Sequence, residues 1–572
     1  MQADLQAMLQ AASAALAAGD GALAERLALR VLDLRPGQEN ALLVLAALRK
    51  GQGRLEEALG LAEQALRRNP NFFEALIQRG ETLLLLERIA EAEAPLKKAQ
   101  RLRPDSVMAV LALAFLYAKL GKAAEAEKLL RAGLRKQPDN PHYRNNLGQL
   151  LLHQLRYSEA LSLLEPLGRG EAAPSEVFLN IANALVGLGR LDEAVEPYLQ
   201  AIRRNPLNYF AHYNLNNVFA QLGRTDEIGL SFRLAKQALP AHPELLEMSA
   251  ESNIAYSRPE QAEADLAEAA RLRPDTSAQF RLWTALRLAQ LRPGEAADLA
   301  GAGLQRQPQD LELWRRLAEA ELMANRPEQA LAAARRLAEL DPFSQFAAAH
   351  QASALRLLGD HDAARRLYDY QRFVHAIDLA PPKGYADLDD YNRVLVERLE
   401  ALHQARQEPV NQSLRHGTQT PEKLFDRPGI DPAIRQLGEA VLAAARRFMA
   451  QLPEDPAHPF LARKGREMDW AGSWSVRLGG GGFHTDHIHQ EGWISGCYYV
   501  EIPDCVADEE TKPGWLKFGE FKPPVGPALP WERAVRPRPG LLVLFPSYMW
   551  HGTLPITGSQ PRMTVAFDIK PA

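Results

Sequence analysis

At 572 residues the chain is too long for one hydrophobic core, so we expect at least two domains. Lys and Arg (67) nearly balance Asp and Glu (71), and no basic block occurs, which argues against a nucleic-acid or anionic-membrane partner. The only cysteines, Cys497 and Cys505, exclude a disulfide framework. No basic-and-apolar leader and no run of 18 apolar residues occurs, so we expect a cytoplasmic protein without a membrane span.

Residues 1–375 carry an internal repeat of 34 residues. Small residues recur on one lattice, broken only by Ile228, and prolines recur on a second lattice. The prolines are Pro36, Pro70, Pro104, Pro138, Pro206, Pro240, Pro274, Pro308 and Pro342. Only lattice position 172 lacks a proline, and Pro174 lies two residues after it. The small residues are Ala24, Ala58, Ala92, Ala126, Ala160, Ala194, Ala262, Ala296, Ala330 and Ala364. We interpret each unit as two helices that cross at the alanine, with the proline ending the second helix.

This period and pattern resemble the tetratricopeptide repeat, with about eleven units in register. The resemblance implies an α-solenoid, a superhelix whose inner face is formed by the first helix of each unit.

Asparagines recur on the same period. Asn146, Asn180 and Asn214 share one repeat position, and Asn183 and Asn217 share a second position three residues later. Such carboxamides can bind the backbone of an extended peptide, because each amide both donates and accepts. The pattern resembles the asparagine ladder of the O-linked N-acetylglucosamine transferase superhelix, which implies a peptide groove. Simple tolerance of Asn on an exposed helix face is the alternative.

After residue 375 the period stops. Residues 376–470 are expected to form a helical linker and collar, with helices at 385–408 and 430–452 around the polar stretch 411–420. From 471 to 572 the sequence pattern becomes typical of short strands separated by Gly and Pro. The glycines from Gly479 to Gly482 are expected to form a flexible run. The predicted strands are Ser473–Leu478, Ile494–Ile502, Trp515–Phe518, Leu541–Phe545 and Arg562–Asp568. The predicted fold class is therefore α + β multidomain, an α-solenoid followed by a double-stranded β-helix (jelly roll) with a helical collar.

Metal-binding side chains cluster in this last region. His484, Asp486, His487 and His489 lie within six positions, and His551 follows a strand and a turn much later. Mononuclear Fe(II) sites commonly use two histidines and a carboxylate. Residues i and i+2 of a strand share a face, so either His484 with Asp486, or His487 with His489, could bind one ion together with His551.

Residues 412–571 resemble a bacterial family of 2-oxoglutarate/Fe(II) oxygenases that are often fused to tetratricopeptide repeats. The matching segments are Gln412–Arg415, Gly417–Thr420, His458–Leu461, Ser473–Val476, His487–His489, Gly492–Ser495, Tyr498–Val500 and Phe545–Thr553. The family's H-x-H runs into a Pro-x-Gly-Trp turn, where this chain has Gln490 in place of the proline. The resemblance favours His487, His489 and His551 as the iron ligands, with Asp486 orienting an imidazole N–H. The set with His484 and Asp486 stays as the alternative.

The candidate co-substrate anchor is Arg562, eleven residues after His551 at the start of an apolar strand. Its guanidinium can form a bidentate pair with the distal carboxylate of 2-oxoglutarate. Arg536 and Arg538 are rival anchors in a Pro-rich turn, and we expect them to face solvent. The family resemblance matches Tyr499 to a tyrosine that helps to hold the same carboxylate, and core packing is its alternative.

These observations predict an Fe(II)- and 2-oxoglutarate-dependent dioxygenase. It would use molecular oxygen to hydroxylate a protein or peptide recruited by the repeat groove. Two alternatives stand beside this prediction. One is a repeat adaptor whose jelly-roll domain is inactive, and the other is an oxygenase that acts on a small molecule.

Overall fold

The fold is described here from a computed structural model, which covers residues 2–170, 173–403, 413–421, 423–427 and 429–572. Residues 404–408 of the predicted helix 385–408, and Asn411 and Gln412 of the predicted polar stretch 411–420, lie outside these described residues. By its internal contacts the chain divides into two compact units, Met1–Leu188 and Gly189–Ala572. No helix among the described residues is long and apolar enough to cross a bilayer.

The first unit consists of helices that pack in antiparallel pairs, as the repeat predicts. In chain order they are α1 Gln2–Ala17, α2 Gly21–Leu34, α3 Glu39–Gly51, α4 Leu55–Arg68, α5 Phe73–Leu85, α6 Ile89–Leu102, α7 Val107–Lys119, α8 Ala123–Lys136, α9 Pro141–His153, α10 Tyr157–Gly168 and α11 Ser175–Gly187.

The second unit continues the same pattern up to residue 367. Its repeat helices are α12 Leu191–Arg204, α13 Tyr209–Gln221, α14 Leu230–Ala238, α15 Pro243–Ala255, α16 Pro259–Leu272, α17 Ser277–Ala289, α18 Pro293–Arg306, α19 Leu311–Met323, α20 Pro327–Leu340, α21 Gln345–Leu357 and α22 His361–Leu367. A short helix, α23 Tyr370–Phe373, and two longer ones, α24 Leu388–Glu400 and α25 Pro432–Gln451, follow.

Both lattices read from the sequence have the predicted structural roles. Each lattice proline lies two residues after the end of a second helix, as Pro36 does after Leu34 and Pro70 after Arg68. Nine of the ten lattice alanines are fully buried, and Ala364 is nearly so, because the two helices of a unit cross there.

The one exception to the alanine lattice coincides with a break in a helix. At Ile228 the second helix of its unit is replaced by a 3₁₀ turn at Thr225–Glu227 and by Gly229, whose φ is +82°. Regular helix resumes only at Leu230. The larger, buried Ile side chain therefore stands where the helix is interrupted rather than closely crossed.

The C-terminal region forms two antiparallel sheets. The strands are β1 His375–Asp378, β2 Leu414–Gln419, β3 Met468–His484, β4 Ile494–Glu501, β5 Leu516–Phe518, β6 Arg533–Val535, β7 Leu541–Pro546, β8 His551–Thr553 and β9 Arg562–Pro571. The larger sheet has the order β1-β7-β4-β9-β3-β2 and the smaller one β6-β5-β8. A single hydrophobic core joins the larger sheet to α24, α25 and the last repeats, so in this unit helices and sheet are packed as one body.

Three local expectations differ from the structure. The strands β1 and β2 lie in the segment expected to be helical, because both complete the edges of the larger sheet. The glycines at 479–482 lie inside the long strand β3 and are not a flexible run. His487 and His489 lie beyond the end of β3, so they do not share a strand face.

Candidate metal and co-substrate site

Three histidines converge where β3 and β8 approach each other. The backbones of His487 and His551 exchange two hydrogen bonds, of 3.0 and 3.1 Å, and the His489 N–H donates to the Ser547 carbonyl at 3.0 Å. One ring nitrogen of each of His487, His489 and His551 lies within 4.8 Å of the other two. Backbone pairing thus brings together the side chains that the H-x-H motif and the distant histidine suggested.

Hydrogen bonds fix which nitrogen of each ring carries the proton. The Nδ1 of His487 lies 2.8 Å from the Thr485 carbonyl, and the Nδ1 of His551 lies 2.9 Å from the Met549 carbonyl. A carbonyl only accepts, so both Nδ1 atoms must be protonated. In the neutral rings Nε2 is then an acceptor, and that of His487 lies 3.3 Å from the Ser413 hydroxyl.

The third ring follows the same arrangement with a carboxylate as its acceptor. The Nδ1 of His489 lies 2.6 Å from Oδ2 of Asp568, which is 7% exposed. The other carboxylate oxygen accepts from the Ser495 hydroxyl at 2.6 Å. A carboxylate behind a histidine ligand orients the ring and raises its basicity, as is common in metal sites.

The electrostatics of the cluster suit a cation. Burial lowers the pKa of His487 to about 3 and holds the pKa of His551 well below its usual range, so both rings are neutral at physiological pH. Metal binding requires neutral imidazole.

One contact within the cluster tests the fit to a metal directly. The Nε2 atoms of His487 and His489 are 3.1 Å apart, and each lies on the side of its ring away from the Nδ1 hydrogen bond. Two nitrogens about 2.1 Å from one ion and at right angles to each other would be about 3.0 Å apart. The three histidines therefore fit a shared metal ion.

The alternative ligands have other partners. His484 lies 3.0 Å through Nδ1 from the Ser413 hydroxyl, and its ring centre is 5.9 Å from that of His487. Asp486 pairs with the buried Lys517 at 2.8 Å, and its Oδ1 has no hydrogen-bond partner. We expected Asp486 to orient an imidazole, but in the structure Asp568 makes that contact.

A cleft of about 470 Å³ extends from the histidines to Arg562. The guanidinium lies over the ring of Tyr499 at 5.0 Å, and Arg562 is only 3% exposed. The buried Nε of Arg562 has no hydrogen-bond partner. Unpaired buried charge is costly, so this guanidinium is suited to an anionic ligand.

Tyr499 is fully buried under Arg562, and its hydroxyl also has no hydrogen-bond partner. Burial raises the pKa of Tyr499 well above its usual range, so the hydroxyl stays protonated and can donate. The rival anchors are exposed, as expected. Arg536 pairs with Glu509 and Arg538 with Asp378.

Comparison with known families agrees with this geometry. Residues 472–568 match the family described as "Putative 2OG-Fe(II) oxygenase". Residues 83–150, and separately 43–107, 179–243 and 285–345, match two families described as "Tetratricopeptide repeat". The chain is a fusion of tetratricopeptide repeats with a domain of this 2OG-Fe(II) oxygenase family. No protein of curated function matches the sequence.

Several solved repeat structures are similar to part of the fusion protein. Pseudomonas aeruginosa pilF is 22% identical over 36% of this chain and 94% of its own, with a TM-score of 0.28. Yeast Tom70 is 14% identical over 65% of this chain and 97% of its own, with a TM-score of 0.27. YrrB, described as a TPR protein with an unusual peptide-binding site, is 18% identical over 32% of this chain and 95% of its own, with a TM-score of 0.23.

Sequence reasoning missed two side chains of the oxygenase-family domain. Asp568 lies on β9 at the same parity as Arg562, and alternate residues of a strand share a face, so this signal was present in the sequence. Trp474, whose ring stacks on His489 at 5.8 Å between centres, forms one wall of the cleft. Trp474 lies in the family-matched segment Ser473–Val476, but Trp493 and Trp550 lie in other matched segments, so the match did not single it out.

The asparagines of the first unit already have partners. Asn146 donates to the His142 carbonyl of its own helix at 2.9 Å. Asn180 is 7% exposed and donates to Asn145 at 3.1 Å, and Asn183 also has a partner. In the second unit, Asn217 accepts from the Tyr256 hydroxyl at 2.9 Å, and Asn214 likewise has a partner. A peptide would therefore have to share or displace these contacts.

Proposed function

We propose that the fusion protein is an Fe(II)- and 2-oxoglutarate-dependent dioxygenase that hydroxylates a protein or peptide substrate. One observation carries the proposal. A single cleft contains both three converging histidine ring nitrogens and the guanidinium of Arg562, whose buried Nε has no hydrogen-bond partner. These are the two sites that such a reaction needs, one for the metal and one for a dicarboxylate. We infer in addition that the two sheets form a jelly roll.

Each residue has a definite task in this scheme. His487, His489 and His551 would hold Fe(II) through Nε2, and Asp568 would keep the His489 ring in the required tautomer. When bound, the metal would supply, with 2-oxoglutarate and molecular oxygen, the oxidising power to hydroxylate a C–H bond.

Arg562 would bind the distal carboxylate of 2-oxoglutarate through its guanidinium, with the Tyr499 ring packed beneath. The protonated Tyr499 hydroxyl could add a second donor. Trp474 would exclude water from the side of the cleft next to His489 and position the substrate bond there. In this scheme the protein contributes position and shielding from water.

The repeat lattice supports a polypeptide substrate. Four repeats after Asn214 and Asn217, the same two positions are occupied by His350 and Ser353. These two side chains contact Trp550, which directly precedes His551 in the chain. The helix face that carries the asparagines in α13 is therefore, in α21, the face that meets the oxygenase-family domain. A peptide held along this face would be led towards the metal site.

Consumption of 2-oxoglutarate by the Fe(II)-loaded protein tests the proposal. Arg562→Ala should abolish turnover at low 2-oxoglutarate, whereas Arg538→Ala should leave it unchanged, because Arg538 is exposed and paired with Asp378. No turnover by the natural protein, with metal bound, would refute the proposal. The repeat adaptor with an inactive domain would then be the better account.

A further inference from the structure

The last repeat contacts the turn that leads into His551, a proposed metal ligand. The Tyr368 hydroxyl, directly after α22, donates to the Tyr548 carbonyl at 2.9 Å and accepts from the Trp550 N–H at 3.0 Å. In return, the Tyr548 hydroxyl donates to the Leu367 carbonyl at 2.8 Å. Tyr368 and Tyr548 are both buried, at 3% and 1% exposure, so water cannot replace these bonds.

One of these bonds bears directly on the His551 ring. The Trp550 N–H and the Met549 carbonyl belong to the same peptide unit, which is planar and rigid. The hydroxyl of Tyr368 holds the N–H at one edge of this plane, and the carbonyl at the other edge accepts from Nδ1 of His551 at 2.9 Å. The orientation of the imidazole is therefore set through one rigid plane by a residue of the repeats.

Further contacts hold the same segment from the repeat side. The Trp550 indole donates to the Ser353 hydroxyl of α21 at 3.2 Å. Arg356, also of α21, donates to the carbonyls of Gly519 and Pro530, and the Gly519 N–H donates to the Trp550 carbonyl at 2.8 Å. Trp550 is thus held by its N–H, its carbonyl and its side chain.

We propose that Tyr368 is a positioning residue for His551, and that the last tetratricopeptide repeat is a structural part of the metal centre. This inference rests on the proposed function, because it requires His551 to bind the metal. It follows that removal of the repeats would damage metal binding and not only substrate recruitment.

The test is Co(II) binding by the full-length protein, followed through the visible absorption of the bound ion. Tyr368→Phe removes the hydroxyl and keeps the ring that packs against Tyr548. Tyr498→Phe is the matched control, since it removes a buried hydroxyl of β4 that donates to Asn392 at 2.8 Å. Groups that orient a metal ligand typically change metal affinity by about 10- to 100-fold. Tyr368 acts through one intervening peptide, so we expect about a tenfold loss and an altered spectrum for Tyr368→Phe, with neither change for Tyr498→Phe.

The outcomes separate this inference from the proposed function. Suppose that the natural protein binds Co(II) and His551→Ala does not. If Tyr368→Phe then has the same Co(II) affinity and spectrum as the natural protein, the positioning role of Tyr368 is refuted and the proposed function is not. If the natural protein itself binds no Co(II), the proposed function fails and the inference fails with it. If Tyr368→Phe does not fold, the same Co(II) measurement is made on Ser353→Ala. We expect a smaller loss of Co(II) affinity in this variant, and an unchanged affinity would contradict the inference.

Discussion

The carboxylate behind His489 offers the sharpest test of how the site is held. In Asp568→Ala, the His489 Nδ1–H and the Ser495 hydroxyl both lose an acceptor 2.6 Å away in a buried position. The ring is then free to rotate or to change tautomer, and it loses the basicity that the carboxylate provides. We expect metal affinity to fall about 10- to 100-fold, or about 1.4 to 2.8 kcal/mol. Asp568→Asn keeps an acceptor but loses the charge, so its affinity should lie between those of Asp568→Ala and the natural protein.

The assay is competition for Co(II) or Zn(II) with a chromophoric chelator, well below the unfolding temperature. The temperature matters because an unsatisfied buried donor also costs about 1–3 kcal/mol of stability. Asp378→Ala is the control, since this exposed carboxylate pairs with Arg538 at the surface. Affinity of Asp568→Ala within about twofold of the natural protein would show that Asp568 does not support a metal ligand.

Three further predictions concern the ligand set, the repeats and pH. Asp486→Ala should leave metal affinity within about threefold of the natural value in the same competition assay, and a loss as large as that of His487→Ala would instead identify Asp486 as a ligand. The substitution Ala126→Leu at a buried position should lower the free energy of unfolding of the first unit by about 1–3 kcal/mol in urea titrations. The substitution Ala124→Leu at an exposed position should have little effect. Burial lowers the pKa of His212 from 6.5 to about 4, so below pH 6.5 the unfolded chain binds a proton that the folded chain does not, and stability falls until pH 4. At pH 5 this loss is about 2 kcal/mol. His212→Gln should remove that part of the pH dependence of stability, whereas replacement of the exposed His142 should not. An unchanged pH profile of stability in His212→Gln would show that His212 is not the cause.

The sequence predicted the repeats well because one physical cause acts at every unit. A close helix crossing permits only a small residue, and a proline cannot continue a helix, so both marks recur every 34 residues. Even the break at Ile228 corresponds to an interrupted helix. The main strands of the C-terminal region were also predicted, since β4, β7 and β9 are apolar runs bounded by turns.

The parts that sequence reasoning missed depend on pairing between distant segments. The strand β2 is polar and becomes a strand only because β3 lies beside it. Asp568 was read as the end of a strand, and only the fold places it against His489. The contact of Tyr368 with the peptide before His551 joins residues more than 180 positions apart, and no local pattern marks it. The ligand set itself stays a prediction that metal binding must test.

The most direct test of the central proposal is an anaerobic titration of the Fe(II)-loaded protein with 2-oxoglutarate, followed through the visible charge-transfer band of the chelated metal. We predict a band in the natural protein and in Arg538→Ala, and a strongly weakened band in Arg562→Ala at the same 2-oxoglutarate concentration. A natural protein that binds Fe(II) but develops no band, or an equal band in Arg562→Ala, would contradict the account of the cleft as a metal and 2-oxoglutarate site.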